Sequence, residues 1–241
     1  MVSYQLLTNP GDRENNEDNV GMYQNGDDFC FVLADGLGGH GKGELASQLA
    51  VEEAVKVFAV NGTGEAQLAE SFDAAQSAIL ENQKQDATAM DMKTTLVVLH
   101  VERNQIRWGH IGDSRLYYFQ DGKLAQRTLD HSVPQMLVAA GQIREKQIRN
   151  HPDRNRLLRV LGVEWDAPRY QIEDPKGRYG HQQFLLCTDG FWELIDEKKM
   201  MHCLKKAKTP AEWLALMEAI VCKNGAGKNM DNYSAIAVWA D

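Results

Sequence analysis

The sequence predicts an α+β fold in which mostly antiparallel sheets carry helices on their outer faces. Three observations predict it. Strand-like apolar runs open the chain, recur as a block in its middle and close it. Two long helical stripes stand together between the first runs and the middle block. The strict strand–helix alternation of a parallel sheet is absent.

In chain order, Tyr4–Thr8 and Phe29–Ala34 read as strands. Val51, Val55 and Phe58 follow Leu45 along one helical stripe, and Leu68, Phe72, Ala75 and Ile79 form a second. Thr95–Val101, Gln105–Ile111 and Arg115–Phe119 make the middle block, with Ile106, Trp108 and His110 alternating at period two. Gln120-Asp121-Gly122-Lys123 reads as a hairpin turn, since Asp-Gly accepts the positive φ of a tight loop. The stretch from Val133 to Tyr170 is rich in charged and amide groups and reads as an insert of short helices. Gln183–Cys187, a third helical stripe (Trp213, Met217, Ile220, Val221) and the strand Ser234–Trp239 complete the pattern. No repeat or Ser/Pro-rich linker divides the chain, so one domain over residues 1–241 is expected, with the insert at about 133–170 inside it.

With 241 residues, 43% hydrophobic and 25% charged, the composition is that of a globular protein with a real core. The net charge of -8 argues against a free-standing nucleic-acid binder. No apolar run approaches the roughly 18–20 residues that span a bilayer, and the first residues lack the basic start and apolar segment of a secretory signal. Cys30, Cys187, Cys203 and Cys222 are far apart, which excludes a zinc or disulfide framework and fits reduced thiols. A cytoplasmic location and no membrane partner are expected.

The loop Asp35-Gly36-Leu37-Gly38-Gly39-His40-Gly41-Lys42-Gly43 follows the strand Phe29–Ala34 and admits three chemistries. Gly36, Gly38 and Gly41 fit a dinucleotide fingerprint, but no second strand ends in an acid about 20 residues on. Gly36, Gly41 and Lys42 fit a nucleotide-binding P-loop, but Gly43 stands where the Mg²⁺-binding hydroxyl belongs. The third reading starts from Asp35: a strand delivers a carboxylate to a hard cation, and a close-approaching glycine carbonyl such as that of Gly36 adds a ligand.

Other acids repeat the pattern. Asp189-Gly190 ends one strand, Asp231-Asn232 precedes the last, Asp113 follows Ile111, and Glu17-Asp18 precedes the apolar run from Val20. Turns often carry such acids, so the joint pattern carries the argument. All the donors are oxygens, which suits Mg²⁺, Mn²⁺ or Ca²⁺, and no EF-hand loop is present. Several carboxylates around an open cluster suit a two-metal hydrolytic centre.

The chain resembles the metal-dependent protein phosphatases of the PPM type, the protein phosphatase 2C family, in their short bacterial form. The motifs run in family order: Arg13-Glu14-Asn15-Asn16-Glu17-Asp18, Asp35-Gly36-Leu37-Gly38-Gly39-His40, Lys93-Thr94-Thr95-Leu96 and Gly112-Asp113-Ser114-Arg115-Leu116-Tyr117. Asp130-His131-Ser132, Asn150-His151-Pro152, Thr188-Asp189-Gly190 and Asp231-Asn232 follow.

The resemblance implies a four-layer α-β-β-α sandwich, two Mn²⁺ or Mg²⁺ ions at one end of it, and a flap subdomain at about 133–170 beside the active site. It implies that Asp35 bridges the ions, that the Gly36 carbonyl joins one, and that Asp189 and Asp231 hold the other. Glu17 and Asp18 fall where the family supplies a carboxylate to the metal–water shell. Asp113 and Glu193 match a weaker third site, where relatives often carry Asp in place of Glu193. Arg13 matches the phosphate-gripping arginine. Some relatives carry a histidine general acid at the position of Leu37; here His40 is the candidate. His131 and His151 read as structural. The implied activity is hydrolysis of phosphoserine and phosphothreonine on proteins by a metal-activated hydroxide, without a phosphoenzyme. The implied partners are phosphorylated proteins, a Ser/Thr kinase and its substrates among them, met by a monomeric stand-alone catalytic domain. A catalytically silent phosphatase-like binding module and a P-loop-like nucleotide-binding protein are the alternatives.

Overall fold

The computed structural model describes residues 1–38 and 42–240. Two antiparallel sheets lie face to face. One has strand order β1 (Val2–Asn9), β12 (Tyr233–Ala240), β11 (Gln182–Cys187), β7 (Arg115–Gln120) and β8 (Lys123–Arg127). The other runs β10 (Lys176–Gly177), β6 (Gln105–Ile111), β5 (Leu96–Val101), β3 (Asp28–Leu37) and β2 (Asp18–Asn25), with β4 (Lys93–Thr94) pairing β3 and β9 (Gln171–Ile172) pairing β6. Helices α1 (Lys42–Asn61) and α2 (Glu65–Gln85) cover the second sheet. Helices α4 (Asp189–Trp192), α5 (Glu197–Lys206) and α6 (Pro210–Gly225) cover the first.

Three cores make four layers, and strand periodicity sorts residues among them. In β3, Phe29, Phe31 and Leu33 point between the sheets, whereas Cys30, Val32 and Ala34 point at the helices. In β11, Phe184 and Leu186 face inward and Leu185 and Cys187 outward. Burial on both faces is why these strands read as unbroken apolar runs. Each fully buried Phe or Leu contributes about 1.5–3 kcal/mol.

The β7–β8 hairpin has the anticipated two-residue loop, with φ of 51° at Asp121 and 73° at Gly122. Thr209 caps α6 by accepting from the Glu212 N–H at 3.1 Å, and Pro210 pre-sets its first turn. The insert holds one short helix, α3 (Val133–Ala139), and a 3₁₀ turn, Glu145–Asn150. It returns to the body through bridges of Leu157 with Ser132 and of Leu161 with Thr94.

Antiparallel pairing positions the site. The start of β2 lies beside the end of β3, and the end of β11 beside the start of β12. The β6–β7 link holds Asp113 where those two strands meet. Acids far apart in sequence therefore arrive at one end of the sandwich.

Candidate metal centre

At that end lies a cavity of about 510 Å³ lined by Arg13, Glu17, Asp35, Gly36, Asp113, Asn155, Leu157, Asp189 and Asp231, among others. Asp35 sits near the end of β3. Its N–H donates to Thr95 Oγ1 at 3.0 Å, and its carbonyl accepts from the Thr95 N–H at 2.9 Å and from Thr94 Oγ1 at 2.8 Å. Gly36 donates to the Glu17 carbonyl at 3.0 Å. A Cβ on Gly36 would lie 2.1 Å from the Gly43 carbonyl oxygen, so only glycine lets the start of α1 approach this strand end.

Asp231 and Asp189 are fixed from the other sheet. The Thr188 hydroxyl accepts from the Ser234 N–H at 2.9 Å and donates to Asp18 Oδ2 at 2.9 Å. The Asn232 side chain ties down the N-terminal loop: its Oδ1 accepts from the Glu17 N–H at 2.8 Å, and its amide donates to the carbonyls of Pro10 and Asn15. Arg13 Nη2 donates to Asp231 Oδ2 at 3.1 Å, with both side chains about half exposed. Glu17 faces the cavity, whereas Asp18 is buried behind its wall, opposite Asp35 in the β2–β3 register.

Glu193 lines an adjoining cavity of about 290 Å³ that also contains Arg13, Arg154, Asp189 and Asp231. The flap residue Arg154 holds it, Nε donating at 3.1 Å to Oε2. His40 lies outside the described residues. Asn155 and Leu157 of the flap line the cavity outside the predicted site residues, as do Glu14, Asn15, Leu37, Gly38 and Asn232 of the motif loops. For the two flap residues the signals are the polar insert and its match to the family's flap.

The electrostatics are those of carboxylates crowded beyond the counter-charge that Arg13 and Arg154 bring. Burial, then the neighbouring Asp18, Asp189, Asp113 and Asp231, pushes Asp35 well above the ordinary range. Burial and Asp189 raise Asp113 likewise. Burial and Asp231 raise Asp189. Burial drives Asp18 to about 7, against hydrogen bonds from Ser234 and Thr188. Burial and Asp189 drive Glu193 to about 7 despite Arg154. Such a cluster must hold protons or gain a cation. Among the described residues no group of three or more Asp, Glu, His or Cys side chains is gathered closely enough to hold a metal ion as it stands; Asp231 bonds to Arg13 and Asp18 to Thr188. Mg²⁺-type ions take one or two carboxylates and keep several waters. An all-oxygen, water-accessible, electron-rich set fits that requirement.

The family model for protein phosphatase 2C matches residues 11–221. The chain belongs to the protein phosphatase 2C family. It is 31% identical to the serine/threonine phosphatase stp of Listeria monocytogenes, over 95% of this chain and 92% of that protein. The crystal structure of Stp1 from Staphylococcus aureus superposes with a TM-score of 0.89 at 27% identity, covering 100% of this chain and 95% of that one. The catalytic domain of PstP in complex with 2 manganese ions superposes at 0.84 and 28% identity, covering 100% and 99%. The α+β sandwich and the protein-phosphatase class implied by the motifs are borne out. Among the described residues no helix is long and apolar enough to cross a membrane.

Proposed function

We propose that the chain hydrolyses phosphoserine and phosphothreonine on proteins, with Asp35, the Gly36 carbonyl, Asp189 and Asp231 holding two Mn²⁺ or Mg²⁺ ions. Glu17 and Asp18 support that shell, and Asp113 and Glu193 offer a third position. The observation that carries the reading is the convergence of strand-end carboxylates and Arg13 on one open cavity. When bound, such ions lower the pKa of water and neutralise phosphate charge.

The chain's own groups do the rest. Arg13 presents a planar fork suited to a dianionic phosphate, and its half-exposed contact with Asp231 leaves it able to turn to a ligand. Asp35, Asp113 and Asp189 supply negative charge that is stabilised only beside a cation. Asn155 and Leu157 place the flap where a peptide carrying the phosphate would pass. His40 is the candidate to protonate the departing Ser or Thr oxygen.

Two rivals are weaker. Lys42 donates to Asp86 at 2.9 Å and does not line the cavity, and Gly43 has no hydroxyl, which speaks against a P-loop. A silent binding module has no use for a retained carboxylate set. By its family the chain would oppose a bacterial Ser/Thr kinase as a cytoplasmic monomer. The test is phosphate release from a phosphothreonine peptide with Mn²⁺. Release is expected; inertness toward both that peptide and p-nitrophenyl phosphate would sink the reading, and tight nucleotide binding in its place would favour the P-loop rival.

A further inference from the structure

We propose that Trp192 is a positioning residue that fastens the Asp113 loop, the Asp189 turn and the base of the flap into one unit. The proposal rests on the metal-centre reading above. Trp192 stands three residues after Asp189 and is 1% exposed. Its indole N–H donates to the Asp113 backbone carbonyl at 3.0 Å. Its carbonyl accepts from Arg149 Nε at 3.1 Å. Arg149 belongs to the 3₁₀ turn Glu145–Asn150 of the insert, and its Nη2 also donates to the Ile195 carbonyl at 3.0 Å and to Glu197 at 2.9 Å. One residue thus bonds directionally to two chain segments other than its own.

The ring is clamped as well. The Arg115 guanidinium carbon sits 3.4 Å from the Trp192 ring centroid. Arg115 is two residues after Asp113, and it forks onto Asp130 at 2.7 and 2.6 Å. A desolvated guanidinium over an indole face is drawn to it and fixes the ring plane.

Packing alone does not require the N–H contact. The indole nitrogens of Trp108 and Trp239 are buried with no partner among the described residues. At Trp192 the bond instead reaches the backbone of Asp113 itself. Holding Asp113 by its own carbonyl, from a residue one helical turn beyond Asp189, sets the spacing of the two acids. None of Trp192, Arg115 and Arg149 lines the cavity, so their effect on the site is indirect.

The test compares the full chain with Trp192→Phe, which keeps an aromatic ring and deletes the N–H, and with Arg149→Lys, which keeps the charge and deletes the fork. Mn²⁺ affinity is read by calorimetry, metal-free melting by circular dichroism in chelator, and KM and kcat on a phosphothreonine peptide and on p-nitrophenyl phosphate. Trp192→Phe should weaken Mn²⁺ binding about tenfold or more while still melting cooperatively. Arg149→Lys should raise KM for the peptide severalfold and leave p-nitrophenyl phosphate unaffected. A folded Trp192→Phe protein with wild-type Mn²⁺ affinity overturns the proposal. If that variant does not fold, an Arg149→Lys protein with unchanged Mn²⁺ affinity and peptide KM overturns it. A wild-type chain that takes up no Mn²⁺ overturns the metal-centre reading and the proposal together, whereas metal-binding wild type with unaltered variants removes only the proposal.

Discussion

Asp18 and Asp35 stand opposite each other across the β2–β3 pair, two carboxylates in direct register at the end of a buried sheet. Cross-strand like charges destabilise a sheet, and here burial adds to the cost. The pair makes sense as a place built to be neutralised by something that binds.

Asp18→Asn keeps an acceptor for the Thr188 hydroxyl and removes one of the crowded charges. In chelator at pH 8 the variant should melt a few degrees above wild type, since about 1 kcal/mol shifts a domain of this size by 2–4 °C. The advantage should shrink when Mn²⁺ is added. Thermal scans with and without metal check it.

Gly190 is a point of closest approach between the two arms of the site: a Cβ there would lie 2.0 Å from the Asn232 carbonyl oxygen. Gly190→Ala should cost about 1–3 kcal/mol. It should also lower phosphatase activity more than tenfold, because Asn232 holds Glu17 and the N-terminal loop. Denaturation and phosphate release on one preparation check both.

The Arg115–Asp130 pair is fully buried. Burial pushes the Asp130 carboxyl up, but Arg115, its hydrogen bonds and Arg127 hold it below the ordinary aspartate range. Arg115→Met should destabilise by about 3–5 kcal/mol, and the double change Arg115→Met, Asp130→Leu should recover much of the loss. Urea denaturation of the three proteins settles it.

His100 is buried edge-on to Phe58 at 5.0 Å, and neither ring nitrogen has a partner among the described residues. Burial, helped by Arg107, lowers its pKa to about 3. The unfolded chain therefore takes up this proton first, and stability falls as pH drops from about 6.5 toward 3. At pH 5 the loss from this group is about 2 kcal/mol. His100→Leu should reduce the difference between denaturation curves at pH 7.5 and pH 5 by that amount. His131, lowered to about 3 by burial and His110, should keep part of the acid sensitivity in the variant.

The elements readable from sequence are those packed on both faces. β3 and β11 announce themselves because Phe31 and Val32, or Phe184 and Leu185, enter different cores. The edge strand β8 hides because Lys123 and Ala125 are exposed and its partly buried Gln126 and Arg127 are polar, so no apolar run marks it and only the Asp-Gly turn points to it. In the site, Glu17, Asp18, Asp35, Asp113, Asp189 and Asp231 are visible as acids at strand ends and the order of the motifs carries the family, whereas Glu193 is reached only through the resemblance. Contacts between remote segments were not visible: Arg13 meets Asp231 across 218 positions, and the Arg154–Glu193 pair depends on how the flap folds back.

The central claim is that separated carboxylates form one divalent-cation centre. Calorimetric titration of Mn²⁺ into the chelator-stripped chain and into Asp35→Asn tests it most directly. The account predicts uptake of two ions by the wild type and loss of that uptake in a variant that still shows a native circular dichroism spectrum. Equal uptake by both proteins, or none by the wild type, would contradict it.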